Sequence, residues 1–166
     1  MHTAYLSLGS NIEPERHLRA AAVALRSRFG DVVFSDVLRT PAVGFDGADF
    51  LNAAAIIHTD LDPHSLDAWL HRLEAAHGRD RDAPRMSSRT LDIDIVFFDQ
   101  LVLAASDGSH LQIPRPELQH SFVLQPLAQI APDYCHPLNG STLEALWSQH
   151  SMRSSPLPAV LSLANS

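Results

Sequence analysis

Lysine is absent from this chain of 166 residues: all 12 basic side chains are arginine. A phosphate loop of the Walker type needs its lysine, so that way of cradling a nucleotide is excluded. Cysteine occurs once, at Cys135. An internal disulfide is therefore excluded, which suits a reducing cytoplasm, and the lone thiol reads as a small core or loop residue. No apolar run reaches the length of a membrane span, and the first residues are strand-like rather than a signal peptide. A cytoplasmic protein without a membrane partner is the expectation. Positive charge is in deficit, with a net charge of -7, which argues against nucleic-acid or anionic-membrane partners. None of the ten histidines sits in an H-E-x-x-H spacing, so each defaults to a structural role. With 45% hydrophobic and 19% charged residues, the composition is that of a soluble globular domain large enough for a sizeable core. One domain is expected over residues 1–150. Residues 151–166, rich in Ser, Pro and Ala, read as a loosely held tail.

What the chain does contain centres on residues 89–98, Arg89-Thr90-Leu91-Asp92-Ile93-Asp94-Ile95-Val96-Phe97-Phe98. Leu91, Ile93, Ile95 and Phe97 alternate with Thr90, Asp92, Asp94 and Val96, the pattern of a β-strand. Side chains on a strand repeat every two residues, so Asp92 and Asp94 share a face, about 7 Å apart. Strands disfavour Asp. A wet sheet face would explain the pair, and so would a shared divalent ion. The preceding run holds Arg79, Arg81, Arg85 and Arg89. Arginines beside paired carboxylates suggest a polyphosphate whose metal the carboxylates hold.

Residues 4–9 alternate as a first strand, and Pro14 opens a helix whose apolar stripe is Leu18, Ala21, Ala22, Leu25 and Phe29. Arg16, Arg19, Arg26 and Arg28 fall mostly off that stripe and read as a solvated face. Residues 31–39 read as one second strand, and residues 40–47 as a Gly- and Pro-rich loop. Residues 50–59 form a third strand in which Asn52 is a polar amide among apolar neighbours. Such an amide either bonds nearby backbone or reads the edge of a heterocycle. A second helix runs from Pro63 to about His77, with Gly78 ending it and His71 and Glu74 near its end. After the aspartate strand, residues 100–103 suggest a short fifth strand. The chain is helical from Pro116, and a last short helix is capped by Ser141 or Thr142. The order β-α-β-β-α-β places the chain in the ferredoxin-like α+β class: one antiparallel sheet, helices on one face, and a C-terminal helical extension.

At this level of detail the sequence resembles 6-hydroxymethyl-7,8-dihydropterin pyrophosphokinase, a family of folate biosynthesis. The matching stretches are Leu8-Gly9-Ser10-Asn11, Arg39-Thr40-Pro41, Phe50-Leu51-Asn52-Ala53-Ala54, Glu74 with Gly78-Arg79, residues 88–95, and Leu124-Gln125-Pro126-Leu127. The resemblance implies transfer of ATP's terminal pyrophosphoryl group to the hydroxymethyl of a reduced pterin, releasing AMP. It implies ATP as co-substrate and two magnesium ions held by Asp92 and Asp94, and a monomer acting on small molecules is the expectation. It assigns Arg79 and Arg89 to phosphate oxygens, and Arg81 and Arg85 to a loop closing over ATP. His71, Glu74, His110, Arg115 and His120 are implied near the nucleotide. Thr40, Pro41, Val43, Phe45, Asn52 and Phe122 are implied in the pterin slot, with Phe45 and Phe122 sandwiching the ring.

The departures are local. Met86-Ser87-Ser88 stands where the family usually has Trp-Gly-Pro. Arg115 stands where it usually has His, and His120-Ser121 where it has an Arg. Arg and His are not equivalent toward phosphate, because His is mostly neutral at pH 7. These changes imply a divergent member. Its alternatives are a pyrophosphokinase for another reduced pterin and a weakly active pterin- or nucleotide-binding paralogue.

Overall fold

The computed structural model describes residues 1–41, 47–78, 90–106 and 109–164. Its strands are β1 (His2–Ser10), β2 (Val33–Phe34), β3 (Asp36–Thr40), β4 (Phe50–Thr59), β5 (Asp92–Phe98) and β6 (Ala159–Ser162). Its helices are α1 (Pro14–Phe29), α2 (Pro63–Ala76), α3 (Ser121–Ile130) and α4 (Leu143–Ser148), with a 3-10 turn at Pro116–Gln119. The strands lie in the order β5-β1-β4-β3-β6, with β2 also paired to β4, and the pairings are antiparallel. The α+β architecture and the central order β5-β1-β4-β3 follow from sequential pairing of a β-α-β-β-α-β chain.

Each helix forms where its stripe and caps direct. Pro occupies the first turn of α1 and of α2, where its missing N–H costs nothing. Asp62 caps α2 by accepting from the Ser65 amide at 2.8 Å, and Gly78, at φ 79°, takes the left-handed step that ends it. Thr142 caps α4 by accepting from the Ala145 amide. Leu18, Ala21, Ala22 and Leu25 of α1 join Leu66 and Leu70 of α2 in one core against Leu6, Leu8, Ile93 and Ile95. The opposite face carries a second core, where Val123, Leu124 and Leu127 of α3 and Leu143 of α4 meet Ala54, Val96 and Phe97. The C-terminal helices thus cover part of the face left open by α1 and α2.

Four expectations need correction. Phe97 does not share a face with Ile93 and Ile95. The β1–β5 register slips between Tyr5 and Leu6, so Tyr5 faces Phe97 while Leu6 faces Ile95. The extra residue, Val96, turns Phe97 into the second core and Phe98 into the first. The second strand is likewise split at Ser35, whose hydroxyl accepts from the Ala54 amide at 2.8 Å. Residues 100–103 make only a bridge, Leu103 to Ile113.

The fourth concerns the tail, which is built into the sheet. β6 pairs with β3, and Leu163 is fully buried in the first core. Arg26 donates to the carbonyls of Leu163 and Ala164, and Arg19 to that of Ser162. These two arginines of the supposed solvated face therefore hold the C-terminal strand. Gln125 adds two bonds to the Leu157 backbone. Leu163→Ala is expected to lower stability by about 2–4 kcal/mol, read from denaturant melts, because it opens a cavity where the two layers join.

A pair of histidines, His17 buried and His77 half-buried, ties α1 to the end of α2. His17 Nδ1 lies 2.7 Å from His77 Nδ1, so one ring donates and the other accepts. Burial lowers both pKa values below the ordinary histidine range. The Arg16 charge adds to this at both rings, and the His17 charge does so at His77. A lowered folded pKa means that the unfolded chain binds the proton first. The pair's contribution is therefore complete above about pH 6.5 and is lost as pH falls from there through the lowered folded values. Melting temperature should drop between pH 7 and 5, and His77→Gln should flatten that drop.

Candidate active site

On the sheet face opposite α1 and α2, one end of four neighbouring strands presents the candidate residues. Asp92 of β5 faces Gly9 of β1, Gly9 faces Asn52 of β4, and Asn52 faces Leu38 of β3. One step inward the row is Asp94, Ser7, Ala54; one step outward Phe50 faces Thr40. Because strand side chains alternate, the aspartates, Asn52, Thr40 and Phe50 share this face while Leu91, Ile93 and Ile95 pack below.

The aspartates are half-buried and Ile93 between them is buried. Glu74 is 1% exposed, and its Oε2 accepts from the Ile93 amide at 2.8 Å. That bond fixes the end of α2 to the peptide between the two carboxylates. Glu74 thus sits beneath the aspartates, on the helix side of the strand. Arg115 reaches the same place from the other direction. Its amide donates to the Val96 carbonyl, and its Nη1 stands 3.7 Å from Asp94 Oδ1.

The candidate pterin residues Asn52 and Thr40 are buried and joined. Asn52 Nδ2 donates to Thr40 Oγ1 at 2.9 Å, which fixes the amide in place and leaves Oδ1 over β1. A Cβ added at Gly9 would lie 2.8 Å from that Oδ1 and 3.9 Å from the Phe50 ring. Gly9 is therefore a glycine for room. Sequence reasoning did not single out Gly9 and Phe50, which adjoin Asn52 on this face. The signal was available for Phe50, two residues before Asn52 on the same strand face. For Gly9 it was not, since the close approach is between strands.

The remaining candidates are placed less centrally. Pro41 is exposed at the end of β3, and His110 is exposed beside buried Leu111. His71 lies 3.5 Å from Asp67, one turn earlier on its own helix. His120, expected at the nucleotide, stacks on Phe122, with ring centroids 5.0 Å apart and planes 7° from parallel. Val43 and Phe45, and with them the expected ring sandwich, lie outside the described residues, as do Arg79, Arg81, Arg85, Met86, Ser87, Ser88 and Arg89.

The donor chemistry around Asp92 and Asp94 fits magnesium. Two partly exposed carboxylates supply hard oxygens, and among the described residues no group of three His, Cys, Asp or Glu side chains forms a closed metal cage. Magnesium is ordinarily held by one or two carboxylates, with substrate phosphates and water completing its shell.

Fold and strand register define a class: α+β proteins in which paired strand carboxylates share a sheet face with a buried, anchored amide. The chain belongs to the pyrophosphokinase family that the sequence resembles. The family model for 7,8-dihydro-6-hydroxymethylpterin-pyrophosphokinase (HPPK) matches residues 5–132. A 2-amino-4-hydroxy-6-hydroxymethyldihydropteridine pyrophosphokinase of Methylorubrum extorquens is 41% identical over 80% of this chain and 85% of its own length. The protein of that name from Synechocystis sp. is 33% identical over 89% of this chain and 76% of its own. In shape the chain resembles a crystal structure of wild-type Plasmodium falciparum HPPK-DHPS, with a TM-score of 0.71 at 15% identity. That match covers 92% of this chain and 45% of the longer one, and at such identity it speaks for the fold alone.

Proposed function

We propose that this chain transfers the terminal pyrophosphoryl group of ATP to the hydroxymethyl oxygen of 6-hydroxymethyl-7,8-dihydropterin, giving AMP and the pterin diphosphate. The observation that carries the reading is the register row in which Asp92 and the Thr40-anchored Asn52 share one sheet face on either side of Gly9. The row puts an amide suited to a pterin edge beside carboxylates suited to the metal of a polyphosphate. Displacement at phosphorus needs positioning and charge neutralisation more than covalent chemistry from the protein.

In this reading Asp92 and Asp94 hold two magnesium ions, which neutralise phosphate charge when bound. Glu74 keeps the two carboxylates in register through the Ile93 amide. Asn52 and Thr40 read the polar edge of the pterin, and Phe50 and Phe122 bound its flat faces. Arg79, Arg89 and Arg115 contact phosphate oxygens, and Arg81 and Arg85 belong to the closing loop. We expect a cytoplasmic monomer acting on small molecules, and the acidic balance speaks against nucleic-acid partners. Among the described residues no helix is long and apolar enough to cross a membrane.

A second reading, another reduced pterin with a different 6-substituent, is favoured by one contact. His120, which departs from the family pattern, stacks on the slot residue Phe122. A substrate panel tests both. AMP release is measured with MgATP and each of several reduced pterins. The first reading expects 6-hydroxymethyl-7,8-dihydropterin to give the highest kcat/KM. A higher value with another pterin moves the assignment to the second, and binding without AMP from any of them overturns both.

A further inference from the structure

Arg115 occupies an unusual position for a phosphate-binding residue: it already has anions around it. Its backbone is docked on the edge of β5 by the bond to the Val96 carbonyl. Its side chain is 24% exposed, with Nη1 3.7 Å from Asp94 Oδ1 and Nε 3.3 Å from Glu117 Oε2. The Arg115 Nε and Glu117 Oε2 atoms are shielded from solvent, yet neither makes a hydrogen bond. The guanidinium is thus held to Glu117 by charge without directional bonding, and it stands beyond bonding distance of Asp94. Ion pairs of that kind contribute little once desolvation is counted, and their geometry is easily surrendered. Asp94 is also the carboxylate that the pyrophosphokinase reading gives to magnesium. A divalent cation and a guanidinium repel at this range, so Arg115 beside Asp94 weakens the hold of that carboxylate on a metal.

We infer that Arg115 is a resident counter-charge that competes with the metal for Asp94 and withdraws when a polyphosphate offers it a better partner. The inference rests on the proposed metal role of Asp94. It makes Arg115 a phosphate-binding residue that also couples metal entry to nucleotide entry. Without nucleotide, Arg115 keeps the affinity of the carboxylate pair for a divalent ion low. With nucleotide, the guanidinium turns to the phosphate oxygens and Asp94 is released to the metal. Glu117 serves as the second anchor, drawing Arg115 partly away from Asp94.

Manganese titrations of the nucleotide-free protein, followed by the electron paramagnetic resonance signal of free Mn2+, test this directly. Arg115→Met keeps the length of the side chain and removes its charge. It is expected to tighten Mn2+ binding by about 5-fold or more, and Arg115→Lys is expected to stay near wild type. Glu117→Gln should move affinity the other way, because Arg115 then leans wholly on Asp94. With a non-hydrolysable ATP analogue present, the advantage of Arg115→Met should vanish or reverse. Unchanged or weaker Mn2+ binding in nucleotide-free Arg115→Met overturns the inference. If that variant fails to fold, equal or tighter binding in Glu117→Gln overturns it instead. Asp94→Asn separates the two levels: wild-type Mn2+ affinity in this variant would remove the metal assignment itself.

Discussion

Asp92→Asn and Asp94→Asn are each expected to lower kcat by about 100- to 1,000-fold, while the folded protein survives. The loss is large because an amide cannot supply the negative charge that a divalent ion requires, although its shape is nearly that of the acid. The fold survives because both side chains are half-buried at the open end of β5, and the core beneath rests on Ile93 and Ile95. A stability change within about 1 kcal/mol is expected from positions of this kind. Single-turnover AMP formation, with a thermal melt of each variant, separates the two effects. Near-normal rates in both variants would sink the metal assignment. A low rate with a collapsed melt in both would show that the carboxylates hold the strand instead.

The second large effect is expected from one methyl group. Gly9→Ala places a Cβ 2.8 Å from Asn52 Oδ1, closer than such atoms stand, so the amide must move. Asn52 cannot move without disturbing its bond to Thr40, since that bond sets its direction. A displacement on the order of 1 Å in a positioning group can cost about 100-fold. That loss should fall on kcat/KM for the pterin, with little change in the affinity for ATP. The three atoms nearest the added Cβ belong to Asn52 and Phe50, so Asp92 is not pushed. Asn52→Ala should reproduce much of the defect, and adding Gly9→Ala to it should cost little more, as expected of two residues acting through one contact. Equal pterin KM values for Gly9→Ala and wild type would show that the slot lies elsewhere.

Much of this arrangement is written in local pattern. The alternation through residues 91–95 places both aspartates on one face, and the stripes of α1 and α2 place the helices on the other. The helix ends at Pro14, Asp62, Gly78 and Thr142 are all stated by single residues with a physical reason to be there. What stayed hidden depends on pairing between distant segments. The bulge at Val96 is invisible because Val96, Phe97 and Phe98 are apolar on both faces, each with a core to enter. The break at Ser35 depends on the backbone of Ala54. Residues 159–163 form a short apolar run inside a Ser- and Pro-rich stretch, too brief to stand out as a strand, and take their order from β3 and from Arg19 and Arg26 of α1. Arg115 carried a legible charge, but its contact with Asp94 needs β5 and the 3-10 turn to be adjacent. Glu74 was legible as a residue near the site, but its bond to the Ile93 amide was not.

The most direct measurement is phosphorus NMR of the reaction mixture containing this protein, MgATP and 6-hydroxymethyl-7,8-dihydropterin. Pyrophosphoryl transfer predicts that the ATP signals give way to AMP and to a pterin diphosphate in equal amounts, and that neither forms when the pterin is withheld. ADP with a pterin monophosphate, or AMP with free pyrophosphate at the same rate whether or not pterin is present, would contradict the account.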